Sequence, residues 1–265
     1  MRRLRRCVGF LLLLATAPPA ARALDPGVRQ LIVSIAPSWD SAQGQLQLFE
    51  RDTNTASGNS AWRAASAPWP VLYGKNGLAW GRGVLGYGDT EPGRHKQERD
   101  GRAPAGVFKI GTIYTYDAAL PAGASYPLFH TVTAADAWGD DPKWPAIYNR
   151  FVTIPDPANP PPWFEKAKMR HGDFAYRWLV EIRHNADPAP VVGEGSAIFF
   201  HIRRGETRPT SGCTTMAEPN LVQLIRWLRA DARPHYALLP RAEYDTKWRA
   251  WGLPDPAAFG TTAPR

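Results

Sequence analysis

No apolar run in this sequence is long enough to cross a bilayer as a helix. The longest extends from Cys7 to Ala17, well short of the roughly 20 residues that a membrane-spanning helix needs. Four arginines precede this run and small residues follow it up to Ala23, a combination typical of a secretory signal peptide. We therefore expect residues 1–23 to be a leader, and residues 24–265 to be exported to the periplasm or cell envelope without a membrane span.

Cysteine is almost absent from the chain. Cys7 lies within the expected leader, so Cys213 is the one cysteine of the mature chain and an internal disulfide is excluded. A lone thiol in an oxidising compartment is open to stray oxidation and pairing, which marks it as a candidate reactive group. The alternative is that Cys213 is a small buried hydrophobic residue.

The mature sequence also lacks a dense cluster of basic residues. Removal of residues 1–23 takes away five arginines and no acid, which lowers the formal net charge from +8 to +3. No stripe of Lys and Arg with interleaved aromatics remains, so we expect no nucleic-acid partner. His171, His184 and His201 form no i, i+4 pair and no cysteine-flanked site, so we expect no metal and no other cofactor.

The chain has no evident linker or internal repeat, and its 26 prolines and 23 glycines are spread along its length. This pattern favours one domain of many short strands joined by turns. A helix is indicated after Pro219, where Leu221, Leu224, Ile225 and Leu228 recur at helical spacing. We predict a mainly β fold with a C-terminal helix and strands at 30–36, 45–51, 70–73, 106–111, 177–183 and 197–202.

Residues 118–170 form a long aromatic and proline-rich stretch with weak periodicity. A stretch of this length inside a compact domain either covers a site or is disordered. Trp138, Trp144, Tyr148 and Trp163 favour the packed alternative.

One segment brings together residues that suit nucleophilic catalysis. The apolar run Gly195-Ser-Ala-Ile-Phe-Phe-His201-Ile predicts a buried strand with a histidine near its end, and a polar turn then leads to Cys213. A cysteine nucleophile needs an imidazole to accept its proton and backbone amides to hold the oxyanion. His201 is the candidate base, and the Gly212 turn can supply the amides. The spacing alone is weak support, because a histidine in an apolar strand is more often a satisfied core residue.

The same residues resemble the catalytic segment of the YkuD-type L,D-transpeptidases, in the subgroup with a short interval between histidine and cysteine. The resemblance is carried by Ser-Ala-Ile-Phe-Phe-His201 and Arg208-Pro-Thr-Ser-Gly-Cys213. Further stretches resemble signatures of this subgroup in the same order: Gly74-Lys-Asn-Gly-Leu-Ala-Trp-Gly, Asp100-Gly-Arg-Ala-Pro104-Ala-Gly106-Val-Phe108, Asp140-Asp-Pro, Tyr148-Asn149 and Leu239-Pro-Arg-Ala-Glu-Tyr244.

The resemblance implies a YkuD-like β-sandwich catalytic domain over residues 24–265 and peptidoglycan stem peptides as partners. It implies that Cys213 attacks the amide after the third, L-centred stem residue and expels D-alanine, and that the thioester then passes to an amine. His201 is implied as general base, oriented by a backbone carbonyl, with the amides of Gly212 and Cys213 as oxyanion donors.

Two positions depart from the commoner motif of that family. Ser211 stands where a second histidine precedes the Gly-Cys pair, and Thr215 stands where an arginine helps to hold substrate carboxylate. Arg208 is a candidate substitute for that arginine, and Arg203 and Arg204 are further candidates, although turn arginines are by default solvated. These departures bear on substrate choice more than on reaction type.

Three other functions compete with transpeptidation. Capture of the thioester by water would make the chain an L,D-carboxypeptidase. A papain-like peptidase fits poorly, because its cysteine comes early on a helix and its histidine far downstream. A non-catalytic envelope protein would only hold peptidoglycan, and rapid alkylation of Cys213 near neutral pH, slowed by His201→Ala, would argue against it.

Overall fold

The computed structural model describes residues 23–51, 61–86, 93–169 and 172–261. Residues 1–22, nearly all of the expected leader, lie outside these ranges, as does His171. The described residues form thirteen β-strands and three α-helices. The strands are β1 (Gln30–Ala36), β2 (Gln43–Glu50), β3 (Arg63–Ala64), β4 (Trp69–Leu72), β5 (Leu78–Trp80), β6 (Ala103–Thr115), β7 (Phe129–Thr131), β8 (Asp136–Trp138), β9 (Phe151–Thr153), β10 (Trp178–Ile182), β11 (Phe199–Ile202), β12 (Thr214–Met216) and β13 (His235–Pro240). The helices are α1 (Phe164–Ala167), α2 (Glu218–Trp227) and α3 (Arg241–Trp251).

Eight of the strands close into a ring. Each pairs with the next in the order β1, β13, β6, β10, β11, β12, β4 and β2, and β2 pairs back with β1. The mainly β prediction is confirmed, and the sheet is a closed eight-stranded barrel. A ring of this size leaves an interior just wide enough for side chains to fill.

Side chains meet across the interior of this barrel. The hydroxyl oxygens of Ser34 and Tyr73 lie 2.6 Å apart, and those of Thr214 and Tyr236 lie 3.0 Å apart, although neither pair comes from neighbouring strands. Phe200 packs edge-on against Tyr236 with ring centroids 4.6 Å apart. Apolar packing with paired hydroxyls therefore fixes β11 and β12, the two strands that carry the site.

Two helices follow the last strand of the site. In α2, Leu221, Leu224 and Ile225 are buried and the helix packs against β11, as the spacing of its apolar residues predicts. The sequence did not predict α3, which packs against β13 and β1. No helix in the described residues has both the length and the apolar character needed to span a membrane.

The described part of the stretch 118–170 is packed and also reaches the site. It contributes β7, β8, β9 and α1, and its Tyr148 is 1% exposed. Trp144 is an exception to the packed prediction, because 40% of it is exposed. Asp140, from the same stretch, lines the cavity described next.

Candidate active site

A cavity of about 540 Å³ lies beside β11 and β12. Six of the seven site residues expected from the sequence line it: Cys213, His201, Gly212, Arg208, Ser211 and Arg204. The seventh, Arg203, lines a different cavity and lies 3.6 Å from the carboxylate of Glu206. The structure therefore places Arg203 at a different cavity from the one that contains the thiol.

Parallel pairing of β11 with β12 brings the histidine and the cysteine together. His201 on β11 is in register with Thr215 on β12, and Cys213 precedes Thr215 by two residues. Because residues two apart in an extended chain point to the same side, the thiol and the Thr215 side chain face one way. The polar turn between the strands returns the chain to the site, as the sequence suggested. Cys213 and His201 therefore line the same cavity.

His201 is oriented by the main chain. Its Nδ1 lies 2.9 Å from the carbonyl oxygen of Ile202, and because a carbonyl can only accept, Nδ1 carries the proton and Nε2 is left with the lone pair. Burial lowers the pKa of His201 to about 4, against the smaller opposing effect of the Ile202 hydrogen bond. The ring of Tyr176 packs edge-on against the imidazole, with centroids 5.1 Å apart.

The thiol of Cys213 donates its hydrogen bond to the main chain and not to His201. Its Sγ donates to the carbonyl oxygen of Ala197 at 3.4 Å, and the imidazole is not its partner. Burial raises the pKa of Cys213 to about 11, although a hydrogen bond between the sulfur and the main chain of Phe199 and the charge of Lys96 act in the other direction. Thiol and imidazole are therefore both uncharged at neutral pH, and the sulfur must leave Ala197 before His201 can take its proton.

Glycine is required immediately before the cysteine. The φ angle of Gly212 is +155°, and a Cβ there would lie 2.9 Å from the carbonyl oxygen of Arg102. Thr210 braces the same turn: its Oγ1 accepts from the Gly212 amide at 3.0 Å and donates to the Cys213 carbonyl at 2.7 Å. The Gly212 amide can serve an oxyanion only by sharing or exchanging this contact with Thr210.

The carbonyl that holds the thiol belongs to a residue in an unfavourable backbone conformation. Ala197 has a φ of +55°, a region that residues other than glycine rarely adopt. Asn149 stabilises it by accepting from the Ala197 amide at 3.0 Å, and it donates to the carbonyls of His184 and Asn185 at 2.9 and 2.8 Å. Asn149 thus positions the thiol through Ala197. In the sequence, only its place beside Tyr148 in a family-like motif had indicated that Asn149 belongs to the site.

Several cavity residues were not predicted from the sequence. Glu98 accepts hydrogen bonds from the hydroxyls of Tyr148 and Ser196, the latter at 2.7 Å. Its segment, like the cavity-lining Lys75, lies far from Cys213 in the chain, and no local pattern links either of them to the thiol. Lys75 lies within the family-like motif that begins at Gly74, and Glu98 lies just before the one that begins at Asp100, but neither motif indicated a role for them.

The neighbour of Arg203 does reach the cavity. Arg204 lines it and forms an ion pair with Asp173 at 2.5 Å, and its guanidinium lies 5.1 Å from the ring centroid of Tyr176. These contacts hold the short helix Phe174–Tyr176 against the histidine. In the parts of the chain that the structure describes, no group of three His, Cys, Asp or Glu side chains is placed to hold a metal ion.

No protein-family model, curated protein or solved structure matches this chain. The family resemblance therefore depends on the sequence motifs alone, and the chemistry of the site is inferred from its geometry.

Proposed function

We propose that the chain is an exported peptidoglycan L,D-transpeptidase whose closed eight-stranded barrel is a YkuD-like catalytic domain, with Cys213 as the nucleophile. One observation carries the proposal: Cys213 and His201 line the same cavity, and the backbone carbonyl of Ile202 fixes the imidazole with Nε2 free of a proton. A cysteine nucleophile needs a base in that tautomer. The order of the motifs around the pair supports the assignment of substrate and fold.

The first half-reaction acylates the cysteine. Sγ leaves the Ala197 carbonyl, its proton passes to Nε2 of His201, and the sulfur attacks the carbonyl carbon of the third stem residue. The oxyanion is held by the amides of the Gly212–Cys213 turn. The C–N bond then breaks, the imidazolium returns the proton to the leaving amine, and D-alanine departs from a thioester.

The second half-reaction transfers the acyl group. An acceptor amine loses a proton to Nε2 of His201 and attacks the thioester carbonyl, the C–S bond breaks, and the proton returns to the sulfur. The product joins two stem peptides or attaches an amino acid. If water takes the place of the amine, the same steps make the protein an L,D-carboxypeptidase.

Incubation of residues 24–265 with purified disaccharide-tetrapeptides, followed by mass spectrometry, tests this function. We expect loss of D-alanine together with a product linked through two third-position residues. Cys213→Ala should abolish both products, and His201→Ala should reduce them by about a hundredfold or more, the range of general-base contributions. Glu206→Gln, at a carboxylate that is 88% exposed, is the control and should keep full activity.

The outcomes separate the candidate functions. Loss of D-alanine without a linked product identifies a carboxypeptidase. Binding of the fragments without any Cys213-dependent product identifies a non-catalytic envelope protein. Products that survive Cys213→Ala would refute the proposed nucleophile.

A further inference from the structure

A second, smaller cavity adjoins the catalytic one. It has a volume of about 190 Å³, and Asp140 lines both cavities. Its lining comes from two segments, the loop 139–147 that follows β8 and residues 162–167, which include α1. No step of the proposed reaction involves the other residues of this smaller cavity.

Contacts within the protein fix the shape of the smaller cavity. α1 packs on β8, and its first residue, Phe164, is 2% exposed. In the loop, the Asp141 side chain accepts a hydrogen bond from the Lys143 amide at 3.0 Å, and the Trp144 amide donates to the Asp141 carbonyl at 3.0 Å. Because these contacts need no ligand, the cavity is formed before a ligand arrives, as ligand sites usually are.

Two tryptophans line this cavity, Trp144 and Trp163. Trp163 packs edge-on against the ring of Phe164, with centroids 5.9 Å apart. Trp144 is 40% exposed, and its indole nitrogen donates to no residue that the structure describes. A large apolar ring with an unused N–H group in a concave site is typical of a side chain that completes its contacts with a ligand.

The lining also contains charged side chains in equal numbers of each sign: Asp140, Asp141, Lys143 and Lys166. Among the described residues only Asp141 has a partner of opposite charge, Arg99 at 4.0 Å. A charged ligand would meet as many repulsive groups as attractive ones, so this lining favours a neutral ligand. The carboxylates can accept hydrogen bonds and the ammonium groups can donate them, and hydrogen bonds of charged groups are the stronger kind.

A pyranose ring has the chemistry that both sets of residues require. It is neutral, its C–H groups form apolar faces that fit an indole, and its hydroxyl and amide groups lie at the edge, where charged side chains reach them. In the proposed substrate the stem peptide is attached to an amino sugar, and two residues separate that sugar from the third, reacting residue. Two extended residues span roughly 7 Å, so the sugar of a bound stem peptide lies in the immediate surroundings of the catalytic cavity.

We propose that the cavity lined by Trp144 and Trp163 is a saccharide subsite, which binds the amino sugar attached to the acyl-donor stem peptide. This proposal rests on the proposed function and extends it from the peptide to the glycan. The protein then recognises its donor as a glycan-linked peptide and discriminates against a stem peptide that has lost its sugar.

Two donors with the same peptide test the subsite: the disaccharide-tetrapeptide and the N-acetylated tetrapeptide, which lacks the sugar without gaining a charge. With one amine acceptor at a fixed concentration, we expect kcat/KM of the unmodified protein to be roughly five- to tenfold higher for the disaccharide donor, the size expected for one aromatic contact with its hydrogen bonds. Trp144→Leu keeps apolar bulk and lacks the flat ring, and it should bring the ratio close to one through a higher KM for the disaccharide donor. Trp144→Phe keeps a flat ring and should retain part of the preference.

A second exposed aromatic residue provides the matched control. Phe129 is 42% exposed and lines neither cavity, so Phe129→Leu should keep the full preference. A binding measurement needs no variant of Trp144: calorimetric titration of Cys213→Ala with the two donors should show the same five- to tenfold ratio, as a difference in Kd.

The outcomes separate the subsite from the proposed function. Equal kcat/KM for the two donors in the unmodified protein would overturn the subsite alone, and so would a preference that survives in full in Trp144→Leu. If neither donor gives a Cys213-dependent product, the proposed function fails, and the two Kd values of Cys213→Ala then decide the subsite: equal values would refute it.

Discussion

At the scale of single residues, burial holds both reacting groups in their uncharged forms. It raises the pKa of Cys213 to about 11 and lowers the pKa of His201 to about 4. An ion pair between them would shift both values in the opposite directions. The free protein therefore keeps a neutral thiol on the Ala197 carbonyl, and the proposed reaction requires the substrate to bring the sulfur to the imidazole before the proton moves.

Because the thiol and the imidazole are both neutral, we expect different alkylation behaviour from that suggested by the sequence. In the free protein we expect iodoacetamide to modify Cys213 at least about tenfold more slowly at pH 7 than free cysteine, because so little of the thiol is ionised. The rate should rise steadily from pH 7 to pH 10 without a plateau, and His201→Ala should change it little. Mass spectrometry of samples quenched at intervals measures these rates.

A plateau in the alkylation rate that begins below pH 7 would contradict the neutral pair, since it would indicate a thiolate stabilised by imidazolium. A fast rate that vanishes in His201→Ala would do the same.

At the scale of elements, the sequence predicted strands where apolar residues form uninterrupted runs. The bounds of β1 match the prediction at 30–36, and β10 lies within the predicted 177–183. The sequence did not predict α3, because Tyr244 and Trp251 are its only buried residues and most of its other side chains are polar. Such a helix is stabilised by packing on a surface that the sequence alone does not reveal.

The segment before β11 was predicted as part of the strand, and it is irregular instead. Gly195 and Ala197 both have positive φ angles, so regular pairing starts at Phe199. In this conformation the Ala197 amide donates to the side chain of Asn149, about fifty residues away in the chain, a contact that local sequence cannot indicate. Cys213 and His201 were predictable because one local motif contains both. The places of Glu98 and Lys75 in the cavity were not predictable, because they depend on contacts between distant parts of the chain.

The conformation of Ala197 leads to a prediction on stability. Ala197→Gly should raise the free energy of unfolding by up to about 1 kcal/mol, because a left-handed residue other than glycine costs about 1 to 2 kcal/mol and the added freedom of glycine in the unfolded chain offsets part of the gain. Urea unfolding measures the change. Ala105→Gly, at a buried residue within β6, is the matched control and should destabilise the protein. Equal destabilisation by both variants would show that the Ala197 methyl group matters more than its backbone angle.

At the scale of the whole molecule, closure of the barrel depends on strands that are distant in sequence. β1 pairs with β13, and β6 lies between β13 and β10. The folded chain buries polar groups as well as apolar ones, and three of the buried groups are histidines: His184, His201 and His235 are all at most 6% exposed. Their protonation is therefore coupled to folding of the entire chain.

Acid should unfold the protein through these histidines. Burial lowers the pKa of His184 to about 3 and that of His201 to about 4, and it lowers the pKa of His235 as well. The unfolded chain takes up protons near pH 6.5 and the folded chain does not, so stability is complete above pH 6.5 and falls as the pH drops towards 4. Glu181 offsets part of this loss, because burial raises its pKa.

We expect the free energy of unfolding in urea to be several kcal/mol lower at pH 4.5 than at pH 7, with about 2 kcal/mol of the difference arising from His201. His201→Gln should shrink the difference by that amount, because glutamine does not titrate. Leu128→Ala, at an exposed side chain that does not titrate, is the control and should leave the difference unchanged. Equal stability at the two pH values would mean that the buried histidines accept protons in the folded state. His201 would then be protonated at moderately acidic pH and could not be the base that the proposed function requires.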